Sequence, residues 1–203
     1  MSADFVYLAS GSPRRRELLA QVGVPFQLLD VAVDEGVVAG EPAAVYVARL
    51  AHLKALAGLH ARPGATAPVL AADTAVVLDG AILVKPTDRA DGERMLRELS
   101  GRTHSVLTAV VLAGMGGAQS RLSRSEVRFR AISAAEIGDY WDSGEPQDKA
   151  GGYAIQGAGA VFVAHLHGSY SGVMGLPLYE TAELLDLQGV PRWRSMDDRF
   201  HGR

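Results

Sequence analysis

The residues with the clearest chemical potential lie near the start of the chain. Residues 8–19 read Leu-Ala-Ser-Gly-Ser-Pro-Arg-Arg-Arg-Glu-Leu-Leu. Ser12 is a good helix N-cap and Pro13 a favoured first helical residue, so a predicted helix carries three consecutive arginines, 14–16, in its first turn. Positive charge is unfavourable there unless an anion is present. Hydroxyl, backbone N–H and guanidinium groups together suit a phosphate, so we predict a phosphate site; a solvated basic helix start is the alternative.

The phosphate interpretation carries an expectation about Arg15. Like charges crowded at a helix N-terminus repel one another when no anion lies between them. We therefore expect Arg15→Ala to weaken anion binding. We also expect the free protein to be as stable after the substitution as before it, or more stable.

Two acidic positions are candidates for metal binding or proton transfer. Asp73 and Thr74 follow the apolar run 69–72, which predicts a short strand with Asp73 at its end. Side chains at strand ends often line the ligand crevice of α/β proteins, although an Asp that caps a turn through Thr74 is equally common. The pair Asp34-Glu35 lies in a predicted loop. Together with Asp73 it could hold a divalent cation, because Mg²⁺ takes one or two carboxylates plus phosphate oxygens.

Three further polar residues have weaker signals when each is taken separately. Lys85 precedes Pro86, which favours an extended backbone, and Lys54 lies in an alanine- and leucine-rich helix where a lysine that only reaches to solvent is the alternative. Gln156 lies in the glycine-rich segment 144–157. Its carboxamide can pair with the imide edge of uracil or thymine, or it can tie down its own loop.

Composition excludes several classes of protein. The chain has 203 residues, a net charge of −3 and no cysteine, so disulfides, thiolate metal sites and a broad nucleic-acid-binding surface are not expected. It has no run of ~18 apolar residues and no basic-then-apolar leader. We expect a cytoplasmic protein with a small-molecule ligand and neither nucleic-acid nor membrane partners. Glycine patterns typical of phosphate loops, dinucleotide-binding folds and serine hydrolases are also lacking.

The order of elements predicts one α/β domain over residues 1–190, followed by a polar tail, 191–203. Long hairpins favour a mixed, twisted sheet with flanking helices. Ser133 and Glu136 have the spacing of a capping box. The predicted strands are 5–9, 26–29, 69–72, 76–78, 82–84, 104–112, 121–132 and 161–166; the predicted helices are 12–23, 42–59, 88–99, 133–141 and 177–187.

Six segments, in order along the chain, resemble the Maf family of nucleoside triphosphate pyrophosphatases. They are LASGSPRRRELL (8–19), ADT (72–74), KP (85–86), LSGRTHSVLTAV (99–110), DKAGGYAIQG (148–157) and GSYSGVMGLPL (168–178). The resemblance implies a two-lobed fold of the inosine-triphosphatase type and metal-dependent hydrolysis of nucleoside triphosphates to monophosphate and pyrophosphate. The IQG segment resembles the branch that acts on dTTP and UTP. The alternatives are a preference for methylated GTP or modified nucleotides, and a non-enzymatic nucleotide-binding regulator of cell division.

The resemblance also implies roles for individual residues. Asp73 is expected to be the catalytic base, with Lys54 and Lys85 as further catalytic residues. Glu35 and Asp73 are expected to hold the cation, with Mg²⁺ first and Mn²⁺ or Co²⁺ as alternatives, and a homodimer is one option for assembly. The expected substrate-binding residues are Ser10, Arg14, Arg15, Thr74 and Gln156. Ala154 departs from the family, which has glycine there, and this leaves the backbone angle at that position in question.

Overall fold

The computed structural model describes residues 3–193. A sheet of seven strands has the order β2-β1-β3-β5-β6-β7, with β4 paired to β3. The strands are β1 (Val6–Ala9), β2 (Phe26–Leu29), β3 (Val69–Leu78), β4 (Ala81–Leu83), β5 (Thr103–Gly114), β6 (Gly117–Phe129) and β7 (Val163–His167). The helices are α1 (Pro13–Gln21), α2 (Ala43–Ala61), α3 (Arg89–Leu99), α4 (Ala134–Asp142), α5 (Tyr170–Met174) and α6 (Leu178–Leu187).

The sheet is mixed, as expected. Strand β1 runs parallel to β2 and β3, whereas β3, β5, β6 and β7 pair antiparallel. Parallel strands need a crossover connection, which α1 and α2 provide, and antiparallel strands can be joined by tight turns such as the one between β5 and β6. The mixed α/β class with flanking helices is therefore confirmed.

The prediction for β3 was wrong in one respect. The sequence predicted separate strands at 69–72 and 76–78 with Asp73 at a strand end, but β3 is continuous and Asp73 lies in its middle. The reason is tertiary. Strand β5 pairs with β3 all the way from Val69 to Val77, and this ladder overrides the turn tendency of an Asp-Thr pair.

The sheet has a gap beside Asp73, at the place where the sequence predicted the end of a strand. On the side of β3 away from β5, β1 pairs only with Val69 and Leu70, and β4 pairs only with residues 76–78. In the described chain no strand covers residues 71–75 on that side. The gap therefore lies between the carboxyl end of β1 and strand β4, where a ligand can reach the middle of β3.

Packed helices on both faces hold this gap open. Helix α2 covers one face through residues such as Leu50, while α1 and α6 cover the other through Leu19 and Leu184, all three of which are fully buried. Burying each such side chain contributes roughly 1.5–3 kcal/mol, so the walls of the gap are rigid. Helix α4 begins with the predicted capping box, in which Ser133 and Glu136 bond reciprocally to each other's backbone N–H.

The structure describes the first three residues of the predicted tail, 191–193. Arg192 forms an ion pair with Asp186, and the N–H of Trp193 donates to the carbonyl of Val22, so the first residues of the predicted tail pack on the domain. The rest of that tail, 194–203, lies outside the described residues. Among the helices of residues 3–193, none is both long and apolar enough to cross a membrane.

Candidate active site

Two carboxylates and one lysine meet in the gap. Lys54 projects from α2, and its Nζ lies 2.6 Å from Oε1 of Glu35 and 2.7 Å from Oδ1 of Asp73. Glu35 belongs to an irregular segment after β2, and the hydroxyl of Tyr46 donates to its backbone carbonyl at 3.1 Å. The structure therefore brings together the candidate base, the candidate metal ligand and a candidate catalytic lysine.

The two carboxylates differ electrostatically. Burial raises the pKa of Asp73, which is 7% exposed, and this effect exceeds the lowering by the charge and hydrogen bond of Lys54. Partial burial also acts to raise the pKa of Glu35, but the hydrogen bond and charge of Lys54 outweigh it. Together with smaller contributions from Lys85 and Arg15, the hydrogen bond and charge of Lys54 hold the pKa of Glu35 below its usual value. Asp73 is thus the better proton acceptor, and Glu35 the carboxylate that stays ionised more readily.

The loop between β1 and α1 has the geometry of an anion site. Ser10 Oγ accepts from the backbone N–H of Ser12 at 3.2 Å, and Pro13 begins the helix as predicted. Within the described residues the side chain of Ser12 makes no capping bond, so the first turn retains donors for a ligand. A cavity of about 270 Å³, here called the Ser10 cavity, opens at this point; it is lined among others by Ser10, Ser12, Arg14, Glu35, Lys54 and Lys85.

Arg15 contributes to the lining of the Ser10 cavity, but its side chain is largely buried and bonded within the protein. Its Nε donates to the carbonyl of Gly175 at 2.7 Å, and its Nη atoms donate to Ser10 Oγ at 3.1 Å and Thr74 Oγ1 at 3.4 Å. Burial lowers the pKa of this guanidinium, since it removes water from the charged form. The expectation that Arg15→Ala leaves the free protein equally or more stable is therefore reversed, because the side chain joins three parts of the fold.

Two further cationic side chains, those of Arg14 and Lys85, make fewer contacts than the side chain of Arg15. Over residues 3–193, Arg14 forms neither a hydrogen bond nor an ion pair, and it lines the Ser10 cavity. Lys85 follows β4, its side chain is 64% exposed, and its Nζ lies 4.0 Å from Oε2 of Glu35. Both cations can meet incoming negative charge without breaking an internal network.

A second cavity, here called the Gln156 cavity, adjoins the first. Its volume is about 100 Å³, and its lining includes Arg14, Thr74, Lys85, Tyr153, Gln156 and Met174. The carboxamide of Gln156 has no hydrogen-bond partner in the described part of the chain, so it does not tie down its own loop. Thr74 shares a hydrogen bond of 2.9 Å with Thr108 and lies on the sheet face opposite Asp73, since side chains alternate along a strand.

The site thus includes every residue selected from the sequence, and two that were missed. Asp148 and Lys149 form an ion pair at the edge of the Gln156 cavity. The signal for them was present, because they belong to the glycine-rich segment 144–157, which is too long for a simple turn. No group of three or more His, Cys, Asp or Glu among residues 3–193 is arranged to hold a metal ion.

Two carboxylates are nevertheless a suitable donor set for Mg²⁺ when a substrate supplies phosphate oxygens. Glu35 and Asp73 each contact the ammonium group of Lys54 through one oxygen, which leaves the second oxygen of each carboxylate for a cation bound beside that group. The residues present therefore fit a divalent ion that binds together with a phosphate ligand.

Comparison with known proteins decides the family. The model of the family described as "Maf-like protein" matches residues 5–188. This chain belongs to that family. A Saccharophagus degradans protein named dTTP/UTP pyrophosphatase is 54% identical over 197 residues, which cover 96% of this chain and 93% of that protein. Proteins of the same name from Alkalilimnicola ehrlichii and Aromatoleum aromaticum are 56% and 51% identical, covering 89% and 92% of this chain and 91% and 96% of theirs.

Proposed function

We propose that this Maf-family chain hydrolyses dTTP and UTP to the monophosphates and pyrophosphate. The names of its relatives support this activity. The observation that carries it is the adjacency of the two cavities, which share Arg14 and Lys85, together with Glu35 and Lys54 in the lining of the Ser10 cavity, where Lys54 contacts Asp73. Triphosphate in the Ser10 cavity and base in the Gln156 cavity would bring the phosphates beside Lys54 and Glu35, and so within reach of Asp73, which lies 2.7 Å from the ammonium group of Lys54.

The reaction needs no covalent intermediate. Asp73 accepts a proton from a water molecule while the water oxygen attacks the α-phosphorus. The bond between that phosphorus and the oxygen of the leaving pyrophosphate breaks in line with the attack. The raised pKa of Asp73 suits it to this proton transfer. Lys54 holds the Asp73 carboxylate in place at 2.7 Å. The cations Arg14 and Lys85 stabilise the charge that develops on the leaving pyrophosphate.

Glu35 is the better of the two carboxylates for holding a divalent cation, because its lowered pKa keeps it ionised. Asp73 is the second ligand that the family resemblance implies. A divalent cation held there would neutralise phosphate charge and make the water more acidic. Because a carboxylate that binds metal strongly is a poor base, we assign the main metal contact to Glu35 and the proton transfer to Asp73.

Preference for a pyrimidine is assigned to Gln156. Its side-chain oxygen can accept from the N3–H of uracil or thymine, and its NH₂ group can donate to a ring carbonyl. Cytosine lacks the N3 proton, so dCTP should be a poorer substrate.

The test is pyrophosphate release from dTTP, UTP, dCTP, GTP and methylated GTP, with and without Mg²⁺, by the wild type and Gln156→Glu. We expect the wild type to prefer dTTP and UTP. We expect the variant to lose about tenfold in kcat/KM for UTP, because Gln156 is exposed in the free protein and the glutamate replaces one hydrogen-bond donor. Gln147→Glu is the control, because it adds the same charge at an exposed position outside the cavity.

Three outcomes would contradict parts of this proposal. Absence of any turnover would favour a nucleotide-binding regulator, and preference for methylated GTP would favour the other branch. An unchanged ranking in Gln156→Glu would assign base reading to the loop backbone. A cytoplasmic location, a homodimer and the absence of nucleic-acid partners stay predictions, the last of them supported by the net charge of −3.

A further inference from the structure

We propose that Tyr140 and Glu145 position Gln156 and thereby determine base selectivity, although neither residue lines the Gln156 cavity. This pair is called the Tyr140–Glu145 brace below. The inference rests on the proposed function and adds positioning residues to it.

The brace holds both ends of the loop that carries Gln156. At the near end, the N–H of Ala154 donates to the hydroxyl oxygen of Tyr140 at 3.1 Å. At the far end, the N–H groups of Ala158 and Gly159 donate to the two oxygens of Glu145 at 2.9 and 3.0 Å. The Tyr140 hydroxyl itself donates to Oε1 of Glu145 at 2.7 Å, which joins the two ends into one network.

Gln156 lies between these two anchored ends. Its carboxamide finds no partner among residues 3–193, so the orientation of that group depends on the backbone that the brace fixes. The backbone of Ala154 does not adopt a positive φ, so the alanine that departs from the family pattern adds no strain at the near end. The loop closes on itself through the Gly157 N–H, which donates to the carbonyl of Ala154 at 3.3 Å.

Two glycines show how closely the loop lies on the brace. A Cβ on Gly157 would come within 2.2 Å of Oε2 of Glu145, and a Cβ on Gly159 within 2.6 Å of the Tyr140 hydroxyl oxygen. Real side chains do not approach so closely. The loop backbone is therefore seated directly on the two side chains, with no room for a spacer between them.

The brace is itself rigid. Tyr140 is 6% exposed on α4, and its ring packs edge-on against Phe162 with centroids 5.0 Å apart. Gly144 adopts a left-handed φ of 77° that turns the chain directly after the helix and places Glu145 beside Tyr140. Burial raises the pKa of Tyr140, so it remains a protonated donor at every working pH.

Rigid support of this kind matters because selectivity depends on hydrogen-bond geometry. A displacement of about 1 Å in a positioning group can reduce a rate by about a hundredfold. If the brace sets the place of Gln156, loosening the brace should reduce discrimination between UTP and dCTP while the catalytic group at Asp73 remains intact.

The experiment compares Glu145→Gln and Tyr140→Phe with the wild type. The glutamine would turn an NH₂ group toward the loop N–H donors, and the phenylalanine keeps the ring but removes the shared hydroxyl. For both we expect the ratio of kcat/KM for UTP over dCTP to fall about tenfold, mainly through a higher KM for UTP, with turnover of dCTP little changed. If Glu145→Gln does not fold, the ratio measured for Tyr140→Phe alone supports or overturns the inference.

A control and a double variant separate positioning from general stability. Glu136→Gln weakens the capping box of the same helix, so it should lower Tm without changing the ratio. In a Gln156→Ala background, Glu145→Gln should cause no further loss of discrimination, because the two residues act through one hydrogen-bonding group. Additive losses would overturn the inference.

Failure of the brace and failure of the proposed function give different results. If the wild type shows no preference for dTTP and UTP, the proposed function fails and the brace fails with it. If the wild type shows that preference and both brace variants retain it, the brace is overturned while the proposed function stands.

Discussion

The two adjacent arginines at the start of α1 should respond oppositely to replacement. Arg15 is buried and makes three hydrogen bonds, whereas Arg14 lines both cavities and, within the described residues, bonds to nothing. We predict that Arg15→Met destabilises the fold and that Arg14→Met weakens nucleotide binding without destabilising it.

The size of the Arg15 effect follows from what its partners lose. Ser10 Oγ still accepts from Ser12, and Thr74 Oγ1 still contacts Thr108, so the carbonyl of Gly175 is the partner left without its side-chain donor. A hydrogen bond from a charged donor contributes about 1.5–3 kcal/mol, and release of a buried charge offsets part of the combined loss. We expect about 2–3 kcal/mol less free energy of unfolding. At about 2–4 °C per kcal/mol for a domain of this size, Tm falls by roughly 4–12 °C.

Thermal unfolding of the wild type, Arg14→Met and Arg15→Met, each with and without dTTP and Mg²⁺, measures both effects. A ligand at about a hundred times its Kd adds ~2.7 kcal/mol to the folded state, which is a readily detected shift. Arg14→Met should match the wild-type Tm without nucleotide but gain less when nucleotide is added. If Arg15→Met melts with or above the wild type, the buried guanidinium contributes no net stability and the reasoning from its contacts is refuted.

Two further predictions concern titrating groups. Asp73→Asn should reduce turnover by at least ~10²-fold with Tm little changed, and near-normal turnover by this variant would refute the assignment. In the wild type, kcat/KM should fall at low pH with an apparent pKa above the usual range of an aspartate, because burial raises the pKa of the Asp73 carboxyl, which must be ionised to act as a base. Burial lowers the pKa of His104, which is 2% exposed and bonded to the Tyr153 hydroxyl, to about 4. The unfolded state therefore binds a proton first as pH falls below about 6.5, and the free energy of unfolding should drop by about 2 kcal/mol between pH 7.5 and 5, measured by urea denaturation. His104→Gln should give a flatter profile, and an equal slope would exclude His104 as its origin.

Local signals in the sequence predicted the elements well, but long-range contacts decided the rest. The capping box of Ser133 and Glu136 and the mixed sheet were predictable, because caps and hairpins are encoded by residues close together. The continuity of β3 through Asp73 was not, since it depends on a ladder with β5 more than thirty residues away. No pattern near α1 could show that Arg15 bonds to Gly175, 160 positions along the chain.

In the candidate site, too, the residue types could be predicted from the sequence, but the long-range contacts could not. Residue types and family-like segments selected Asp73, Glu35, Lys54 and Gln156, and the structure brings the first three into contact. The role of Glu145 could not be predicted, because its bonds to the loop go to backbone N–H groups, which carry no residue-type signal.

Lys54 has a consequence for how the protein tolerates metal limitation. Its ammonium group lies between Glu35 and Asp73, so a cation of the chain itself neutralises part of their negative charge, and Lys85 lies 4.0 Å from Glu35. Domains that fold around a metal are lost when a chelator removes it, because their ligand charges are then left unpaired. The proposed metal requirement would therefore affect activity alone: scarcity of divalent ions would slow turnover but leave the protein folded, and turnover would return when the ions do.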